Sequence, residues 1–149
     1  MKILGVSGSL RADSKNARVL AALEGVTLFD GLRDLPPFDP DREKAHGPFV
    51  AAWRGAVEDA DAVLFCTPEY AHGVPGALKN ALDHLVGSGE FSGKRVGILR
   101  IAPHSRFAHV QLRETLATMD AVVEASCATV HPDDAEGLRA AVTSLSPPR

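Results

Sequence analysis

The sequence predicts an α/β protein of three layers, a five-stranded parallel sheet covered on both faces by helices. Short apolar runs alternate with longer amphipathic ones along the chain. The central run is continuously apolar, as strands buried on both faces are. A length of 149 residues suits one compact domain and leaves no room for a second. One domain over residues 1–146 is therefore expected, with residues 147–149 as a frayed tail.

The first strand is read over Lys2 to Ser7. Ser14 is placed to cap a helix reaching to about Glu24, with Val19, Leu20 and Leu23 on one face. A second strand spans Val26 to Phe29. Gly31 to Pro48 carries four prolines and scattered charges, which deny it a repeating apolar face, and it reads as a surface loop with room for one helical turn. Phe49 to Asp59 is the second helix, turning Phe49, Ala52, Trp53, Ala56 and Val57 toward the sheet. Ala62 to Thr67, bounded by Asp61 and Pro68, is the third strand. Pro75 to Val86 is the third helix, with Pro75 at its first position, where a missing N–H does no harm. Lys94 to Ile101, Phe107 to Met119, Val122 to Ala128 and Asp133 to Leu145 supply the fourth strand, fourth helix, fifth strand and closing helix. Right-handed crossovers leave two strand orders open, 2-1-3-4-5 and 3-2-1-4-5. In both, ligands bind beyond the carboxyl ends of the strands where the order reverses, so the segments after strands one, three and four are the places to look.

Composition excludes several classes of partner. Sixteen basic and nineteen acidic side chains leave a formal charge of -3. Neither sign collects into a run, which argues against nucleic acid and anionic membrane. The apolar start, Met1 to Val6, is interrupted by Ser7, Ser9 and Arg11 too early for a signal peptide, and no segment approaches the ~18 apolar residues of a membrane span. Cys66 and Cys127 both lie in apolar runs without a CxxC partner or a histidine at ligand spacing. They read as reduced core residues of a cytoplasmic protein, with no metal site.

Ser7 to Asn16, after the first strand, has the chemistry of an anion site. Gly8 permits a tight turn, and the hydroxyls of Ser9 and Ser14, the amide of Asn16 and N–H groups at the helix start can donate to a phosphate. Arg11 adds a forked cation. Neither GxxxxGK[ST] nor GxGxxG is present, and Asp30 reads as a turn residue. Gly5 to Ser9 approaches a nucleophile elbow but lacks its last glycine. After the third strand, Thr67 to Asn80 holds two prolines, two glycines and one aromatic. Such a segment is stiff, and its backbone can approach a flat ligand. Tyr70 can lie beside a planar ring and His72 can reach its polar edge. Lys79 and Asp83, four apart, read as a surface ion pair.

GSLRADSKN at residues 8–16 and TPEYAHGVPGALKNALD at residues 67–83 resemble the two signatures of the NAD(P)H-dependent FMN reductases, whose members include flavin, quinone, azo and chromate reductases. The resemblance implies a flavodoxin-like fold with strand order 2-1-3-4-5. It implies bound FMN and NAD(P)H as electron donor, with a flavin, quinone or other small molecule as acceptor. The flavin N5 would carry the chemistry, so no catalytic side chain is implied. Carried over by position, Ser9, Arg11, Ser14, Lys15 and Asn16 would hold the FMN phosphate. Pro68, Glu69, Tyr70, Ala71, His72 and Gly73 would line the isoalloxazine. A homo-oligomer, dimer or tetramer, is also implied.

The sequence departs from the family pattern in places. Ala71 stands where asparagine is usual, Gly73 where serine is frequent, and His84 where an aromatic is common. Ala102 to Phe107 replaces a loop rich in glycine and hydroxyls, which leaves His104, Ser105 or Arg106 to supply the polar contact at the flavin's pyrimidine edge. Two alternatives follow: an FMN-binding carrier or regulatory module without turnover, for which -3 is a weak charge, and a phosphate-binding fold with a different nucleotide.

Overall fold

The computed structural model describes residues 1–124 and 130–146. Among them, strands β1 (Ile3–Ser7), β2 (Val26–Phe29), β3 (Ala62–Cys66), β4 (Arg95–Leu99) and β5 (Val122–Val123) alternate with helices α1 (Lys15–Ala21), α2 (Pro48–Glu58), α3 (Gly76–Asp83), α4 (Arg106–Thr118) and α5 (Ala135–Ser144). All pairings are parallel, in the order β2-β1-β3-β4-β5. Of the two orders open from the sequence, this is the flavodoxin-like one. The order reverses between β1 and β3, where Ser7 stands opposite Cys66 at the carboxyl ends.

Period-two alternation divides the apolar residues of each strand between two cores. Leu4, Val6, Val63, Phe65, Val96 and Ile98 pack with Trp53, Leu78, Leu82, Leu112 and Leu116 beneath α2, α3 and α4. Ile3, Ala62, Leu64, Cys66 and Leu99 pack with Leu20, Leu138 and Leu145 beneath α1 and α5. Each large side chain fully buried here contributes about 1.5–3 kcal/mol. Gly97 lets α5 close down on the sheet, because a Cβ there would lie 2.8 Å from Leu64 and 3.3 Å from Leu145.

The elements differ from expectation in four places. Helix α2 is rotated, so that Val50, Trp53 and Val57 are buried while Phe49 is 55% exposed and Ala52 faces solvent. The Trp53 Nε1–H donates to the Ala81 carbonyl at 2.8 Å, which fixes that rotation against α3. The segment from Gly31 to Pro48 contains two short 3-10 helices, Gly31–Asp34 and Pro40–Ala45, and buries Leu32 and Leu35. Asn80 holds it down: its Nδ2 donates to the Pro36 carbonyl at 2.9 Å and its Oδ1 accepts the Phe38 N–H at 2.8 Å. Pro75 is extended and stands just before α3 instead of opening it, and the helix stops at Asp83, leaving Val86 exposed. Helix α1 stops at Ala21, short of Glu24. Cys127, the last part of the expected fifth strand and the tail 147–149 lie outside the described residues. The Lys79–Asp83 pair forms, at 2.6 Å.

Candidate functional site

The loop after β1 is drawn against the end of β3. The Gly8 N–H donates to the Cys66 carbonyl at 3.0 Å. A Cβ at residue 8 would lie 2.1 Å from Thr67 Oγ1 and 2.7 Å from Thr67 Cβ, so only glycine allows the two loops to meet. Ser7 Oγ accepts from the Ser9 N–H, and Ser9 Oγ from the Arg11 N–H, both at 3.3 Å. Ser14 is buried and caps α1, accepting the Ala17 N–H at 3.2 Å. The Cys66 thiol donates to Asn16 Oδ1 at 3.2 Å. Burial pushes that thiol up to about 12, so it stays protonated as this bond requires. Asn16 thus spends its oxygen on the core and keeps its amide as a donor. Arg11 and Lys15 are exposed. Among the described residues, no protein acceptor meets the N–H groups of Ala12, Asp13, Ser14, Lys15 and Asn16.

The loop after β3 is a tight two-residue turn. Tyr70 and Gly73 exchange backbone hydrogen bonds of 2.9 and 3.0 Å, and between them Ala71 (φ 48°) and His72 (φ 60°) are both left-handed. Positive φ at both central positions is the type I′ pattern, which normally takes Asn-Gly. Here the chain holds two non-glycine residues in it, at about 1–2 kcal/mol each. Three contacts to α4 hold the turn in place. Glu69 Oε2 accepts the Ala108 N–H at 2.9 Å, Gln111 Oε1 accepts the Val74 N–H at 2.7 Å, and the His72 ring stacks on Phe107 with centroids 4.3 Å apart. Gly73 permits the second, since a Cβ there would lie 2.9 Å from Gln111 Oε1. Phe107 and Gln111 were not among the residues expected from sequence. The one available signal was an exposed aromatic opening a helix, with a glutamine one turn later.

Gly8, Leu10 and Arg11 face Tyr70, Pro75, Gly76 and Ala77 across an open cleft of about 350 Å³. Tyr70 is 50% exposed at its edge, and Pro68, two residues before it in the chain, is half-buried. His104 is exposed and Ser105 is buried at the start of α4, and neither lines this cleft. The loop after β1 therefore offers hydroxyls, unspent N–H groups and the Arg11 guanidinium, and across the cleft from Arg11 stands a stiff shelf with an aromatic edge. That combination suits a flat ring carrying an anionic tail. Residues 1–136 match the NADPH-dependent FMN reductase family. The chain belongs to that family.

FMN fits the site on two observations. The unspent donors of residues 12–16 and Arg11 are what a phosphate needs. The side-chain-free approach of Gly8 to Thr67 sets the shelf beside them. Among FMN reductase relatives, the chain is 37% identical over 134 residues to an NAD(P)H-dependent FMN reductase of Pseudomonas aeruginosa, covering 80% of this chain and 71% of that protein. It is 36% identical over 108 residues to a quinone reductase of Pseudomonas putida, covering 66% and 58%. The solved structure of FerB, a flavoenzyme NAD(P)H:(acceptor) oxidoreductase from Paracoccus denitrificans, superposes with a TM-score of 0.77 at 30% identity, covering 91% of this chain and 82% of that one. This FMN reductase family member is accordingly an oxidoreductase with FMN as cofactor and NAD(P)H as electron donor. Among the described residues, no helix is long and apolar enough to cross a membrane, and no cluster of side chains could hold a metal ion.

Proposed function

We propose that this chain reduces a quinone or a comparably flat small acceptor, with the FMN phosphate seated in the loop of residues 9–16 and the ring against residues 68–73. The observation that carries the reading is the row of unspent N–H donors at residues 12–16, which continues the loop from Arg11 where it faces Tyr70 across the cleft. When bound, FMN supplies the hydride acceptor and passes the electrons on, so the protein need provide no acid or base. Its own residues bind and orient. Ser9, Arg11, Lys15 and the Asn16 amide address the phosphate, and Ser14 sets the helix start from which residues 15 and 16 donate. Pro68, Tyr70, Ala71 and Gly73 offer backbone and ring surface to the flavin. Glu69 acts through α4 as a positioning residue, and His72 rests on Phe107 at the rim. His104 and Ser105, which the family resemblance set at the flavin's pyrimidine edge, do not line the cleft and are given no contact with the ring.

Assembly as a homodimer is supported by the exposed Tyr70, Phe107 and Val110 beside the cleft. A cytoplasmic setting accords with the buried, protonated Cys66 thiol. The relatives are named for turnover, which favours an enzyme over a carrier.

The test is FMN titration followed by flavin fluorescence quenching. Arg11→Ala and Ser9→Ala should each weaken affinity, the first by about 10- to 100-fold, the usual worth of a charged phosphate contact. Unchanged affinity in both variants overturns the phosphate assignment. Consumption of NADPH with a benzoquinone acceptor tests turnover.

A further inference from the structure

The turn that completes the shelf does not hold itself. Ala71 and His72 both lie in the left-handed region, at φ 48° and 60°. Neither is glycine, and neither carries the short polar side chain with which asparagine or aspartate satisfies that backbone locally. The two backbone bonds between Tyr70 and Gly73 close the turn, and its further support comes from α4, an element that lies beyond β4 in the chain.

Of the contacts from α4, the one made by Gln111 acts on the turn most directly. Glu69 precedes the turn, and its carboxylate accepts an N–H in the first turn of α4, where backbone donors lack helical partners. The His72 ring meets Phe107 outside the backbone of the turn. Gln111 Oε1 accepts the N–H of Val74, the residue that follows Gly73, across 37 positions of sequence. The same oxygen would lie 2.9 Å from a Cβ at residue 73. Such an overlap is cheap to relieve sterically, because Oε1 ends a flexible side chain, but moving it away breaks the bond to Val74. Gly73 and Gln111 are therefore a matched pair, and a side chain at the first removes the brace at the second. Gln111 is exposed and belongs to neither core, so the packing of α4 does not depend on it.

We infer that Gln111 is a positioning residue for the flavin: by bracing Val74 it keeps the Tyr70–Gly73 turn in the one conformation that sets the shelf against the ring. The inference rests on the proposed function, because the turn matters to the flavin only if the ring lies against residues 68–73. The brace stands in for an internal one. An asparagine at 71 would hold the left-handed backbone from inside, and the turn would then need α4 less. Dependence on Gln111 is thus tied to Ala71, and the two positions are coupled in energy although they belong to different elements.

The test titrates FMN into the full chain by fluorescence quenching. Visible circular dichroism of the bound flavin at saturation reads the ring's surroundings, and the far-ultraviolet spectrum checks folding. Gln111→Ala should weaken FMN about three- to tenfold, the net worth of one hydrogen bond, and alter the visible band at an unchanged far-ultraviolet spectrum. Gln111→Glu keeps an acceptor oxygen at the same reach and should stay within about twofold of wild type. Gly73→Ser should reproduce the loss seen in Gln111→Ala, and the two together should cost no more than either alone. In an Ala71→Asn background, Gln111→Ala should cost less than about twofold. Undiminished affinity in Gln111→Ala overturns the inference. So do additive losses from Gly73→Ser and Gln111→Ala, or a loss that Ala71→Asn leaves in full, since Gln111 would then act by a route other than the turn. If the wild type binds no FMN, the proposed function fails first. If Arg11→Ala weakens FMN and Gln111→Ala does not, the phosphate assignment stands and this inference alone fails.

Discussion

The left-handed pair Ala71 and His72 gives the sharpest quantitative test of the site's construction. An L-residue pays about 1–2 kcal/mol to sit at φ near +50°, and asparagine pays much less because its short polar side chain bonds locally. Ala71, at φ 48°, is exposed, so its replacement disturbs no packing. Ala71→Asn should therefore raise stability by about 1 kcal/mol, seen as a higher urea midpoint at unchanged m, or a Tm increase of about 3–4 °C for a chain of this size. Ala71→Val should lower it by about 1–2 kcal/mol, because a branched Cβ crowds the left-handed backbone further. His72→Gly is the internal control. It relieves about 1–2 kcal/mol of strain. It forfeits the stack on Phe107, worth about 0.5–1.5 kcal/mol, and gives the unfolded chain about 0.4–1 kcal/mol of extra freedom. The sum is close to zero. An asparagine variant no more stable than wild type, or a valine variant equal to it, would refute the argument that this turn is strained.

Two further outcomes follow from the geometry. Gly8→Ala forces the first and third loops apart, since its methyl group would overlap Thr67, and should weaken FMN binding by at least about tenfold with little change in secondary structure by circular dichroism. A variant that binds FMN normally would mean that the contact does not set the cleft. Burial alone would raise the Glu90 carboxyl, but the Ser88 hydroxyl, its own backbone N–H and Arg54, at 2.5 Å, outweigh it and hold the group below the usual carboxylate range. The stability this contributes is complete above the unfolded value of about 4.3 and is lost as pH falls through the folded one. Arg54→Ala should then cost about 2 kcal/mol at neutral pH and distinctly less at a pH low enough to protonate Glu90 in the folded state. Urea midpoints at the two pH values decide it, and an equal penalty at both would contradict the assignment.

Much of this architecture was legible in the sequence, for identifiable reasons. β1 and β3 are continuous apolar runs between polar boundaries, and such runs leave few alternatives. Strand order was not legible locally, because the same alternation serves either winding, and only the long motifs at residues 8–16 and 67–83 pointed to the one observed. Helix α2 was misoriented because its alanines give a broad, weak apolar face, and the bond from Trp53 to Ala81 sets the rotation through a partner 28 residues away. Leu32 and Leu35 were hidden among prolines that erase periodicity. At the site, the residue types bearing charge and hydroxyl were evident. The contacts from Glu69 to Ala108 and from Gln111 to Val74 were not, since a single side chain meeting a distant N–H leaves no repeating mark in sequence.

Trp53 is the only indole in the chain, and it is fully buried between the sheet and α3. Its emission is therefore an optical monitor built into one side of the molecule: blue-shifted while α2 and α3 remain seated, and blind to loosening under α1 and α5. A urea transition followed by that emission, laid over one followed by circular dichroism, asks directly whether the two halves of the interior melt together.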